Sequence, residues 1–200
     1  MMSPNLILVG GGARSGKSAH ALRLALAAGP ARTFVATAQA FDDEMARRIR
    51  DHQRERGADF QTVESPQDLV GPILACGDQD VVLIDCVTLW LSNRLLAGQA
   101  PTEILQALDA TLSAVGRCRA QCIFVSNEVG MGIVPDSPLG RTFRDLAGHA
   151  NQRLSAAAGT VYFAAMGLIL RLRPTPLAVV EPPLEDAVRA NGPTEGGQPR

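Results

Sequence analysis

Lysine is almost missing from this chain. Of its 19 basic residues a single one, Lys17, is lysine and the others are arginine. Arginine presents a planar fork and lysine a compact, flexible point charge, so a site that needs the ammonium does not accept the exchange. The lone lysine therefore marks a site before any motif is named. An excess of charge is missing too: 19 basic residues face 20 acidic ones, a net charge of −1. That excludes a polycationic surface aimed at nucleic acid. The longest apolar run covers only 161–170, short of the ~18 residues of a membrane span. The opening MMSPNLILVGGG has no basic region ahead of a long apolar core, unlike a secretory signal. Four cysteines (Cys76, Cys86, Cys118, Cys122) show no CxxC spacing, which argues against a disulfide framework or a zinc site. A soluble, cytoplasmic protein is expected. Its 200 residues, 46% hydrophobic and 20% charged, are enough for one globular domain.

Short apolar runs alternate with helical stretches along the chain. Leu6–Val9, Thr33–Thr37, Phe60–Val63, Val81–Asp85, Ile123–Ser126 and Val161–Ala165 read as strands. Helices are expected over Ser18–Ala28, from Asp42 to near Gly57, over Pro66–Ala75, Val87–Leu96, Thr102–Arg119 and Leu139–Ala157. Such alternation predicts an α/β fold with a mainly parallel central sheet flanked by helices on both faces. From Arg173 onward Pro174, Pro176, Pro182, Pro183, Pro193 and Pro199 lie among Gly, Glu and Thr. Residues 1–172 are therefore expected to form a single folded domain and 173–200 a loosely ordered tail.

Gly11-Gly12-Ala13-Arg14-Ser15-Gly16-Lys17-Ser18 satisfies G-x-x-x-x-G-K-[ST] directly after a strand and at the opening of a helix, the context this phosphate-binding loop requires. Its glycines let backbone N–H groups turn in around a phosphate, and the helix N-terminus adds positive potential. Lys17 can reach the β- and γ-phosphates, and the Ser18 hydroxyl can ligate Mg²⁺. Asp85, at the C-terminal end of an apolar strand, is the partner carboxylate expected for the metal; it could equally cap the helix that follows. The loop predicts a nucleoside triphosphate and leaves the reaction open.

A second candidate is His52, set in RRIRDHQRER among Arg47, Arg48, Arg50, Arg54 and Arg56. Arg48 and Arg56 lie one helical turn to either side. Guanidinium charges favour the neutral, nucleophilic imidazole and would also bind phosphates. A histidine attacking an α-phosphate would give a covalent nucleotidyl-enzyme. A packing histidine beside Met45 and Ile49, or a plain solvated helix, would use the same residues. His20 and His149 lack such surroundings and read as structural. Trp90 and Phe143 read as core or interface anchors, with stacking on a substrate ring as the alternative, and Arg141, Arg144 and Arg153 as a solvated helix face. The glycine-rich Asn127–Gly132 stretch follows a strand, where it is either a plain loop or a substrate contact.

GGARSGKS, VATAQAFDDEMARRIRDHQRER, VVLIDCVTLWLSN and FVSNEVGMGIVPDSPLGRTFRDLAGHANQRLSAAAGTVYF, in that order and spacing, resemble the bifunctional adenosylcobinamide kinase / adenosylcobinamide-phosphate guanylyltransferase family over about residues 5–170. The resemblance implies a P-loop NTPase (RecA-like) fold and two reactions. ATP or GTP phosphorylates the aminopropanol hydroxyl of adenosylcobinamide. GMP from GTP then passes through a guanylyl-histidine to adenosylcobinamide phosphate, giving adenosylcobinamide-GDP. Carried over by position, Gly11 to Ser18 hold the triphosphate, with Lys17 catalytic and with Ser18 and Asp85 on Mg²⁺. Thr37, Ala38 and Gln39 line the pocket, His52 is the nucleophile, Gln53, Arg54, Glu55 and Arg56 touch nucleotide, and Glu64 and Asp85 complete the site. A homotrimer is implied as well. Some members carry two adjacent histidines where this chain has Asp51-His52. The readings set against this one are a P-loop kinase without nucleotidyl transfer and a nucleotide-dependent regulatory NTPase.

Overall fold

The computed structural model describes residues 2–40, 43–44, 47, 50, 53–54, 57–78, 80–175 and 177–181. In chain order the elements are β1 (Ser3–Gly11), α1 (Lys17–Ala28), β2 (Arg32–Ala36), β3 (Gln61–Glu64), α2 (Val70–Leu74), β4 (Val81–Asp85), α3 (Val87–Leu96), α4 (Pro101–Arg117), β5 (Gln121–Asn127), α5 (Pro138–Ala157), β6 (Ala158–Ala165), β7 (Leu168–Arg173) and β8 (Ala178–Glu181). Among the described residues the strands form one sheet in the order β3-β2-β4-β5-β1-β6-β7-β8. The first six are parallel, and β7 and β8 continue antiparallel.

Burial on both faces explains the unbroken apolar strands. Residues 81–84 of β4 and 122–126 of β5 are all buried, and successive side chains go to opposite layers. Leu6, Leu8, Val82, Ile84 and Phe124 join Trp90, Leu91, Ile104, Leu108, Leu146 and Leu154, so α3, α4 and α5 cover one face. Val9, Leu83, Ile123 and Val125 meet Ala21 and Ala25 of α1 on the other. At roughly 1.5–3 kcal/mol for each large apolar side chain taken from water, these two layers are the main source of stability. Helix starts are fixed locally. Pro138 opens α5 behind Ser137, whose Oγ accepts from Gly140 N at 3.1 Å. Glu103 accepts from Ala100 N at 2.8 Å ahead of α4.

Two expectations need correction. The helix expected from Pro66 begins only at Val70. The carbonyls of Pro66 and Gln67 are taken by α3 instead: Asn93 Nδ2 donates to Pro66 O at 2.9 Å and Trp90 Nε1 to Gln67 O at 2.8 Å. Asp68 Oδ1 then accepts from Val70 N at 2.9 Å and starts the helix. The sheet also runs beyond residue 173, where a tail was expected, because Ala178–Glu181 pairs with β7. Pro174 falls in the turn between those strands, where no ladder N–H is needed. Residues 182–200 lie outside the described residues.

Candidate phosphate-binding site

The loop between β1 and α1 is shaped by two glycines. Gly11 has φ 151, and a Cβ there would lie 2.4 Å from Ala164 O and 2.9 Å from Ser15 Oγ. Gly16, with φ 92, is the N-cap of α1 and has no side-chain cap, so the first N–H groups of α1 stay available to a ligand. Lys17 is 8% exposed, and its Nζ donates to Gly12 O at 3.0 Å. The ammonium therefore lies back over the start of its own loop. Ser15 is 6% exposed, and its Oγ has no partner in the structure. A buried, unsatisfied hydroxyl is unfavourable by ~1–3 kcal/mol; a phosphate oxygen in the loop would relieve it. Gly11→Ala should destabilise the fold by roughly 1–3 kcal/mol and abolish nucleotide binding, since the methyl meets backbone. Gly12→Ala should leave the melting temperature nearly unchanged, because a Cβ there meets nothing within 4 Å. Thermal melts and equilibrium dialysis with GTP check both.

The parallel strands bring three further residues to the same edge. Ala36, the last residue of β2, pairs with Asp85 of β4 on one side and Glu64 of β3 on the other. Glu64 is exposed and Asp85 half-buried. Thr37 is fully buried, and its hydroxyl is consumed by the chain beyond Asp85. It donates to Cys86 O and accepts from Cys86 N, both at 2.8 Å. Asn93 Nδ2 also donates to Thr37 O at 2.8 Å. Thr37 thus ties the ends of β2 and β4 together, while Ala38 and Gln39 are half-buried beyond it. Burial pushes the Cys86 thiol up to about 12, with Asp85 adding to the shift and Lys17 opposing it. Cys86 thus feels both Lys17 and Asp85, the two charged groups of the expected phosphate and metal site.

Of the expected arginine-rich helix, Asp43, Glu44, Arg47, Arg50, Gln53 and Arg54 are described, and each is helical and exposed. His52, Glu55 and Arg56 lie outside the described residues. His20 is 4% exposed and meets the Tyr162 ring edge-on at 4.7 Å, and Trp90 is a core anchor at 1% exposure. Arg141 and Arg153 do more than form a solvated face. Arg141 Nη1 donates to Pro135 O at 3.0 Å and Asp136 O at 2.7 Å, and Arg153 Nη1 to Leu105 O at 3.2 Å.

Sequence reasoning missed a polar network at the end of β5. Asn127 N donates to Thr88 Oγ1 at 2.7 Å, Ser126 Oγ to Asn151 Oδ1 at 2.6 Å, and Asn151 Nδ2 to Asn127 O at 3.3 Å. Asn127 Oδ1 is buried without a partner, and Asn127 stands opposite Gly11 in the sheet. Thr88 and Asn151 lie 39 and 24 residues from Asn127, and no local pattern links them.

Comparison with known proteins agrees with this geometry. The family model described as cobinamide kinase / cobinamide phosphate guanyltransferase matches residues 7–172. The chain is 42% identical over 181 residues to the bifunctional adenosylcobalamin biosynthesis protein CobU of Escherichia coli (strain K12), covering 84% of this chain and 99% of that protein. It is 40% identical to the protein of that name from Salmonella typhimurium, with the same coverage. It is also 40% identical over 171 residues to the bifunctional adenosylcobalamin biosynthesis protein CobP of Pseudomonas aeruginosa, covering 85% and 98%. Among solved structures, the RadB recombinase superposes with a TM-score of 0.51 at 15% identity, over 89% of this chain and 87% of that one. That likeness is one of fold alone and bears out the RecA-like architecture.

Proposed function

The chain belongs to the cobinamide kinase / cobinamide phosphate guanylyltransferase family, and from that premise we propose that it carries out both reactions on one phosphate cradle. The observation that carries this reading is the loop of Gly11 to Ser18, with the Lys17 ammonium held over Gly12 O and a buried Ser15 hydroxyl still lacking a partner.

In the first reaction the hydroxyl of adenosylcobinamide attacks the γ-phosphorus of ATP or GTP. The bond to the β-phosphate oxygen breaks, and the nucleoside diphosphate leaves. In the second, a ring nitrogen of His52 attacks the α-phosphorus of GTP and pyrophosphate departs. A phosphate oxygen of adenosylcobinamide phosphate then displaces the histidine and takes the GMP. Lys17 and the loop N–H groups meet the charge that develops on the γ-phosphate in one step and on departing pyrophosphate in the other. Gln53, Arg54, Glu55 and Arg56 follow His52 along the nucleotide, with Thr37, Ala38, Gln39 and Glu64 bordering it.

The donor set suits Mg²⁺: the Ser18 hydroxyl and the Asp85 carboxylate are hard oxygen donors and would hold the ion beside the phosphates. When bound, Mg²⁺ neutralises charge on the phosphate oxygens. A cytoplasmic location and a homotrimer belong to the same proposal. For association between chains the support is the exposed apolar series Met131, Ile133, Val134 and Leu139, which are 80%, 97%, 56% and 52% exposed in the single chain.

Two incubations test the reading. With Mg²⁺ and GTP labelled at the α-phosphate, the denatured chain should retain label that survives alkali and is lost in acid. With adenosylcobinamide and a γ-labelled triphosphate, a phosphorylated corrinoid should form. Phosphorylation without retained label would reduce the protein to a kinase. Triphosphate hydrolysis with neither product would make it a regulatory NTPase.

A further inference from the structure

Glu128 is the first residue after β5, the strand that lies between β1 and β4. Its backbone N–H donates to Gly11 O at 3.0 Å, which fixes its Cα beside the first glycine of the phosphate loop. Gly12 is the next residue, and its carbonyl receives the Lys17 ammonium. Because Lys17 is the group that meets the β- and γ-phosphates, Glu128 stands at the γ-phosphate end of the cradle. Its side chain is turned back on the following loop, where Oε1 accepts from Gly130 N at 2.6 Å. Gly130 allows this by having no side chain, since a Cβ there would lie 2.9 Å from Oε1. The bond holds the carboxylate in one orientation and occupies only Oε1. Glu128 also lines a groove of about 500 Å³ that runs along α5 past Asn151, Gln152 and Ser155 to Arg173, and among the described residues it is the only acidic one lining it.

We propose that Glu128 is the carboxylate that takes the proton from the acceptor alcohol in the kinase reaction, and that the groove along α5 receives the polar arm carrying that alcohol. The inference rests on the kinase half of the proposed function. As the alcohol oxygen bonds to the γ-phosphorus, its proton passes to Glu128 and later to water, while the bond to the nucleoside diphosphate breaks and the diphosphate leaves with the electron pair. The groove is lined by the Gln152 amide and the Ser155 hydroxyl, with Asn151 held by Ser126 and Asn127 and Arg173 by the carbonyls of Ser155 and Ala158 as its fixed walls; such a lining suits a neutral arm rich in amide and hydroxyl groups. The guanylyl step takes no proton from an alcohol, because its nucleophiles are an imidazole and a phosphate oxygen. Glu128 therefore serves one reaction of the two.

Glu128→Gln separates this role from a structural one. The glutamine carbonyl can still accept from Gly130 N, so the loop is kept while the proton acceptor is lost. The expected result is a fall in kcat for phosphorylation of adenosylcobinamide of about 100-fold or more. The KM for the triphosphate should stay within about twofold of the starting protein, as should covalent labelling by GTP and GMP transfer to adenosylcobinamide phosphate supplied ready-made. Unchanged phosphorylation overturns the proposal. So does a rise in the KM for adenosylcobinamide at constant kcat, which would make Glu128 a binding group only. A parallel fall in both reactions also overturns it, because Glu128 would then be shaping the loop. Failure of the unmodified protein to phosphorylate adenosylcobinamide would instead refute the kinase reading itself.

Discussion

Lys17→Arg is expected to lower kcat/KM for phosphoryl transfer and for guanylylation together, each by about 10³-fold, although the positive charge is kept. The reason is shape. Lys17 is only 8% exposed and its ammonium lies 3.0 Å from Gly12 O, over a loop whose first glycine has no room even for a Cβ beside Ala164. A guanidinium is wider, plans its donors in a fork, and cannot occupy a space made for one tetrahedral nitrogen without displacing Gly12 or leaving the loop. Either outcome withdraws the charge from the β- and γ-phosphates. Thermal melting should change little, since Lys17 belongs to neither apolar layer and both remain intact. Steady-state rates for both reactions, read beside the melting curve, check the expectation. Retention of either rate within tenfold would show that a diffuse charge suffices there. The composition points the same way, because arginine fills every other basic position of the chain.

The loop was legible from sequence because its chemistry is local. Glycines at the two bends, a lysine and a serine fall within eight consecutive residues, between a strand and a helix that both announce themselves. The central strands were legible for a related reason, since β4 and β5 are buried on both faces and must be apolar throughout. What escaped depended on distant partners. The start of α2 is decided by Trp90 and Asn93 on α3, which remove the carbonyls of Pro66 and Gln67 from any helix. The strand at Ala178–Glu181 is decided by the open edge of β7, whereas the prolines around it suggested a tail. Thr37 matched the family position for a pocket residue, yet its hydroxyl is spent on Cys86, 49 residues away. Asn127 and Glu128 sat in a segment visible as a glycine-rich loop. Only the pairing of β5 with β1 shows that the segment adjoins the phosphate loop.

His52→Asn should have the most selective effect of any substitution. Label from the α-phosphate of GTP should disappear from the chain, a loss of at least about 10³-fold, because no other group offers a nitrogen nucleophile at that position. Phosphorylation of adenosylcobinamide should persist within a few-fold, since its nucleophile is the acceptor's own hydroxyl and its charge is met by Lys17 and the loop. The other two histidines provide the contrast. His20 is 4% exposed and packed edge-on against Tyr162, and His149 is an exposed residue of α5; His149→Asn should leave both reactions intact. The neighbouring arginines should behave differently from His52. Arg47, Arg50 and Arg54 are exposed; if they bind phosphate as proposed, replacing one with alanine would remove that contact and leave the nucleophile. The KM for GTP should then rise while labelling still reaches completion. If label survives in His52→Asn, the covalent intermediate belongs to another residue. If phosphorylation falls with the label, the two reactions share more than the cradle, and His52 serves the kinase step as well.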